Sequence, residues 1–348
     1  MDYVTINTHH LMKKLTYFCL LALVAMLSSC TGKTGSGRSY EVLVVVDQNL
    51  WNRPAGRALF DVLDTDVPGL PQSERSFRIM NAAPQHYDGT LKLLRNIIIV
   101  DINPAKYTQP KFRYAKDVYA APQMILTIQA PDEESFAEFV TTYSQRIIDF
   151  FTHAEMNRQI RLLEQKHSDF VSVNVKEMFG CEVWVPAELA SYKKGENFFW
   201  AGTNTATGDQ NFIIYSYPYT DKDTFTKEYF THKRDSVMEV NMPGAREGMY
   251  MCTDTLLTDV RGINVQGAYC QEARGLWRIK GDFMGGPYVS HARVDEVNHR
   301  VIVAEIFIYS PDQMKRNLVR RMEASLYTLR LPGALQQSAE IPVEGVEQ

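Results

Sequence analysis

Apolar residues along this chain fall into short, nearly continuous runs and longer runs with helical spacing, and the two kinds alternate. Residues 40–46 are almost wholly apolar, the pattern of a strand covered on both faces. Further strands read at 77–81, 96–102 and 123–129, with helices expected at 49–63 and 87–94. Pro131-Asp132-Glu133-Glu134 then opens a long helix, because proline suits the first turn and carboxylates complement the positive helix end. Phe136, Phe139, Val140, Tyr143, Ile147, Phe150, Phe151 and Ala154 recur on one face of it, and the pattern carries it to about residue 166.

Beyond residue 168 strands dominate. They read at 182–185, 197–201, 210–217, 249–256, 262–271, 276–280, 288–294 and 301–309, with a helix over 221–240. A closing helix over 311–329 carries Met314, Leu318, Met322, Leu326 and Leu329 as one stripe. Opposite them Lys315, Arg316, Arg320 and Arg321 read as a solvated face. The organisation is therefore an N-terminal α/β domain over 40–167, a C-terminal α+β domain over 168–330, and a polar, acidic tail over 331–348 expected to be disordered. The fold class is α+β: two domains, each a mostly antiparallel or mixed sheet with helices packed on it.

The first 39 residues belong to neither domain. Residues 15–27 are apolar and follow Lys13 and Lys14. As a helix they rise about 20 Å, too little for a hydrocarbon core of about 30 Å but right for a signal-peptide core. Leu27-Ser28-Ser29-Cys30 follows and resembles the bacterial lipobox, in which small residues precede the cut and the cysteine thiol takes up diacylglycerol. Residues 1–29 are expected to be removed, with Met12 a more natural start than Met1, and Cys30 to carry the lipid, palmitate among its acyl chains. Residues 30–39 read as a flexible Gly/Ser linker.

Composition bounds the chemistry. Hydrophobic residues make up 45% and charged residues 22%, an ordinary globular balance. The net charge of −4 moves to −5 once Asp2, Lys13 and Lys14 are lost, which disfavours nucleic acid as a partner. Three cysteines remain after Cys30. Cys252 and Cys270 fall in strand-like runs and are the candidate disulfide, beside the alternative of buried free thiols.

Asp47 and Asp101 end buried strands, where ligands bind in open sheets, and could together hold a metal for hydrolysis. Asp47 serves equally as a helix cap. Glu164 and His167 show half of a di-iron motif, and His291 and His299 flank an expected turn; neither set supplies a full metal site. No nucleophile elbow is present and Cys181 lacks a basic neighbour. No catalytic residue, metal site or cofactor is assigned. The most distinctive stretch runs from Arg274 through Trp277 to Phe283, Met284 and Gly285-Gly286-Pro287. It reads as a rigid hairpin whose aromatics either face a partner or pack inward.

Gly69-Leu70-Pro71-Gln72, 95–99, 197–200, 215–219, 274–277 and Met284-Gly285-Gly286-Pro287 resemble an uncharacterised lipoprotein family of Bacteroidota, a domain of unknown function. The resemblance covers nearly all the chain after Cys30 and implies an envelope lipoprotein without assigned activity. The second half is also loosely similar to the PsbP-like α/β/α sandwich, a fold of mostly non-enzymatic accessory proteins. The residues after Cys30 lack the acidic run of surface-displayed lipoproteins, which favours the periplasmic side of the outer membrane. The expectation is a lipid-anchored binding or assembly accessory that meets the membrane through its anchor and an envelope protein as partner. A metal-assisted hydrolase using Asp47 and Asp101, and a small-ligand receptor, are the alternatives.

Overall fold

A computed structural model describes residues 33–205, 208–334 and 338–343. Cys30, the signal segment and the cleavage box lie outside the described residues.

The first sheet forms from β1 (Glu41–Val45), β2 (Arg78–Ala82), β3 (Asn96–Ile102), β4 (Lys111–Lys116) and β5 (Met124–Ala130), in the order β2-β1-β3-β5-β4. β1, β2, β3 and β5 run parallel, and β4 closes one edge antiparallel to β5. One face is covered by α2 (Pro54–Leu63), α3 (Glu133–Thr142) and α4 (Ser144–Gln165), which bury Leu59, Phe136, Val140 and Phe151 against Val42, Val44 and Leu126. The other face carries Leu43, Val45, Ile97 and Ile125 under short turns around residues 84–94. Helices on one face of a mixed sheet are the α+β arrangement expected from the pattern.

The expected first helix is broken. Asp47 caps α1 (Gln48–Trp51) through its carboxylate, and Pro54 then starts α2 afresh, where its missing N–H costs nothing. The long helix is likewise two: α3 ends at Thr142, and α4 begins at Ser144 after Tyr143 leaves helical geometry at φ −103° and ψ 24°.

The second sheet is antiparallel. It contains β6 (Ser191–Gly195), β7 (Phe198–Gly202), β8 (Asp209–Pro218), β9 (Met251–Thr253), β10 (Asp259–Val265), β11 (Ala268–Ile279), β12 (Gly285–Asp295) and β13 (Arg300–Tyr309). The main order is β10-β11-β12-β13-β8-β7-β6, with β9 beside β11. α5 (Asp169–Phe179) and α7 (Arg316–Tyr327) pack on one face, where Val175, Phe179, Met322 and Leu326 meet Phe212, Ala304 and Ile306. α6 (Lys227–Asn241) covers the other, where Phe230 and Met238 meet Tyr215, Trp277, Tyr288 and Val303. The result is an α/β/α sandwich.

Several sequence expectations need correction. Residues 262–271 are not one strand: Gln266 and Gly267, both at positive φ, turn the chain between β10 and β11. Residues 33–39 are not a free linker. Gly35 N–H donates to Ala121 and Ser36 N–H to Leu93, pinning this segment along the first domain. A Cβ at Gly35 would come within 2.3 Å of the Pro122 carbonyl oxygen, so glycine there permits close approach, not motion. The tail over 331–348 is not wholly free either, since residues 338–343 lie against α4.

The largest correction concerns the basic face of α7. Lys315 and Arg320 are buried, not solvated, because this face is where the first domain docks. α7 has no side-chain cap of its own. Glu74 of the first domain supplies one, its carboxylate accepting from the backbone N–H groups of Lys315 (2.7 Å) and Arg316 (2.9 Å). The Arg320 guanidinium lies 4.2 Å over the Tyr40 ring and donates to the Ser76 carbonyl oxygen. The two domains thus share a helix terminus.

Loss of a buried cap that also neutralises a helix N-terminus costs about 1–2 kcal/mol. Glu74→Ala is therefore expected to lower the free energy of unfolding in urea by that amount, with a lower midpoint, and to loosen the domains. Faster proteolysis between residues 165 and 185 would report the loosening, and an unchanged midpoint would reject the shared-cap account.

Candidate functional site

The distinctive hairpin comes from β11 and β12. Alternation sends Ala273, Gly275 and Trp277 to the α6 face and Glu272 and Arg274 to the α7 face. Trp277 is buried, its indole N–H donating to the Ile308 carbonyl and its ring edge-on to Phe307. Phe283, at the tip, is fully exposed, and Met284 is 39% exposed. Gly281 at φ 81° makes the turn, and the Asp282 carboxylate accepts from Phe283 N–H (2.6 Å) and Met284 N–H (3.3 Å). The Asp282 carboxylate thus braces the turn, and the phenylalanine stands in water. The four candidate residues therefore do not converge: Trp277 is core, Phe283 and Met284 are tip, and Arg274 faces the other domain.

Arg274 lines a cleft of about 310 Å³ between the domains. Its floor is Arg261 and Arg274 from the sheet and Arg320, Glu323 and Tyr327 from α7. Its walls are residues 65–68 and, from α4, Asp149, Thr152 and His153. The charges are already matched. Arg274 donates to Glu272 (3.0 Å) and to Glu323, and Arg261 donates to Glu272 (2.8 Å). Burial opposes charge on Arg274, but Glu323 and Glu272 outweigh it and raise its pKa. Burial opposes charge on Glu272 too, yet Arg274 and His291 hold it well below the usual carboxylate range.

His291 stands directly opposite Glu272 on β12, fully buried, with Nε2 3.8 Å from a Glu272 carboxylate oxygen and Tyr327 edge-on to its ring. Among the described residues neither ring nitrogen finds a partner within hydrogen-bond distance, the Glu272 carboxylate standing just beyond it. Burial disfavours the imidazolium, but Cys270 and Glu272 on β11 outweigh it and raise its pKa to about 9. His291 does not meet His299: the first pairs with Ala304 inside the sheet, and the second sits in the exposed β12–β13 turn. His167 stacks on Trp184 instead of completing a metal motif. Among the described residues no group of three or more His, Cys, Asp or Glu side chains could hold a metal ion.

The paired carboxylates stand at the ends of adjacent strands, as expected from the pattern. Each is engaged: Asp47 caps α1, and Asp101 accepts from the Tyr107 hydroxyl, which in turn accepts from Gln129.

The disulfide expectation is overturned. Cys252 lies opposite Arg278 on β11, and Cys270 lies on β11 itself, eight residues earlier. At strand rise that separation is about 26 Å, against a limit of about 7 Å between bridged Cα atoms. Both are free and buried, as is Cys181, whose thiol burial pushes up to about 12. Strand character was legible for both cysteines, but their strand registers were not.

What the sequence did not suggest is a further buried ion pair, Arg234 of α6 with Glu305 of β13. The guanidinium donates two hydrogen bonds to the carboxylate, at 2.9 and 2.7 Å, and lies 4.3 Å over Tyr288. Arg234 reads as an ordinary polar-face residue of its helix, and only the layer beneath it makes it core.

Residues 168–328 match the model of a family described as Domain of unknown function (DUF4837), and residues 35–164 that of Domain of unknown function (DUF8532). Both halves of the chain are thus similar to families without an assigned activity, as the resemblance implied. No curated protein matches the chain. Among solved structures, a crystal structure from Bacteroides thetaiotaomicron VPI-5482 is similar at 13% identity over 43% of this chain, with a TM-score of 0.24. The likeness spans 44% of that protein's length.

His291 gives a pH signature. A folded pKa raised from the ordinary 6.5 to about 9 makes its contribution complete below 6.5 and lost as pH climbs through 9. Urea midpoints are expected to fall between pH 6.5 and 9 in the native chain. In His291→Gln that fall should vanish, and equal pH slopes in the two chains would exclude a buried imidazolium.

Proposed function

We propose that this protein is a lipid-anchored envelope accessory that binds a protein partner through the β11–β12 tip. The observation that carries the reading is Phe283, fully exposed on a turn that Asp282 holds fixed. Scattered apolar residues on a surface need no explanation. A phenylalanine fixed in water at a hairpin tip is different, since burying it against a partner is worth about 1.5–3 kcal/mol with little ordering left to oppose it.

The anchor at Cys30 would confine this surface to a membrane-proximal layer, where two weak contacts act together. The periplasmic face of the outer membrane fits the residues that follow Cys30, none of which is acidic before Glu41.

Phe283→Ser is expected to leave the free energy of unfolding within about 0.5 kcal/mol of the native chain. A photo-crosslinker at Met284 should then give one discrete adduct in native envelopes that Phe283→Ser abolishes. An adduct unaffected by that change would reject the tip as the binding surface. Separately, labelling with an alkyne palmitate is expected to tag the native chain and not Cys30→Ser. Equal labelling of both would remove the anchor.

A further inference from the structure

Residues 338–343 run across the middle of α4 in an unusual way. Asn157, a buried polar residue of that helix, donates from its amide to the Ile341 carbonyl oxygen (2.8 Å) and accepts from the Ile341 N–H (2.7 Å). One side chain therefore satisfies both backbone groups of one residue, as a neighbouring strand would, and reads an extended backbone whatever its sequence. Ala339 and Ile341 insert into an apolar trough formed by Met156, Ile160 and Tyr327 with the β10–β11 hairpin. Arg161 bonds the Glu340 carboxylate at 2.6 Å, and His153 Nδ1 lies 3.3 Å from the Pro342 carbonyl oxygen.

The surface that receives the segment extends beyond it. A cavity of about 400 Å³ remains between this segment and the β4 edge, with Tyr114, Lys116 and Asp117 on its far side. The Arg161 hydrogen bond, with a smaller contribution from Lys116, draws the Glu340 carboxyl below its usual range. The ion pair itself is partly exposed, 37% at Arg161 and 42% at Glu340, so it selects sequence more than it adds grip. Only two side chains of the segment are buried.

We propose that the trough around Asn157 is a binding site for an extended peptide of a partner protein, with an acidic residue followed by a branched apolar residue and proline. Residues 338–343, Ser-Ala-Glu-Ile-Pro-Val, occupy it in cis as a built-in competitor. The site is separate from the β11–β12 tip and stands without it.

The test is a fluorescein-labelled Ser-Ala-Glu-Ile-Pro-Val peptide titrated against the full chain by polarisation. In the double variant Glu340→Ala with Ile341→Asp, whose own segment no longer fits, the peptide is expected to bind saturably. Binding to the native chain should be at least tenfold weaker, because its segment competes. Adding Asn157→Ala to the double variant should abolish binding while leaving its circular dichroism unchanged, and a peptide with lysine for glutamate should bind at least threefold more weakly. No binding to a folded double variant, or binding that survives Asn157→Ala, overturns the proposal. A dimer that forms by exchange of this segment between copies also overturns it. Should the double variant not fold, amide exchange at Ile341 in the native chain decides: saturating peptide is expected to accelerate it, and an unchanged rate counts against the site.

Discussion

The N-terminus of α7 leaves backbone N–H groups that its own sequence does not satisfy, and the arrangement of both domains follows from how they are met. Glu74 fills that place from the first domain. Because a carboxylate at a helix N-terminus gains from both the hydrogen bonds and the dipole, its position is fixed in direction as well as distance. Arg320, just over one turn on, then falls over Tyr40, and the next two turns set Glu323 and Tyr327 facing α4. The cleft, the buried charges beneath it and the trough on α4 are all consequences of this one seam.

Two sets of buried charge inside the second domain are handled the same way. Arg234 with Glu305, and Arg274 with Glu272 and Glu323, are matched by partners that share their burial. Such pairs add little net stability over apolar packing, but a lone member would be costly. They therefore fix which helix lies on which face. Burial with a charge partner does not by itself mark an active site.

The strand over 96–102 was legible to the residue, since a parallel strand covered on both faces is apolar without interruption. β4 was not: as an edge strand it alternates Lys, Arg and Lys with Phe112 and Tyr114, and reads as a loop. α5 was missed because Val171, Val175 and Phe179 are too few for a clear stripe, although Ser168 caps it and Gly180 ends it at φ 64°. The tip residues Phe283 and Met284 were found through glycine spacing, whereas their separation from Trp277 depended on the strand register. The segment 338–343 gave no periodic signal, because it is held by one amide and one isoleucine.

Local chemistry written along the chain therefore decided which segments are strands and helices, where caps and turns fall, and that two sheets form. Hydrophobic periodicity and turn residues act between neighbours a few positions apart, so a linear reading reaches them. Tertiary structure alone decided that α7's cationic face is an interface, that Cys252 and Cys270 lie far apart, and that Arg234 and His291 are core. Those outcomes depend on strand register and on groups such as Glu74 and Lys315 meeting across 241 positions of sequence, distances over which composition carries no information.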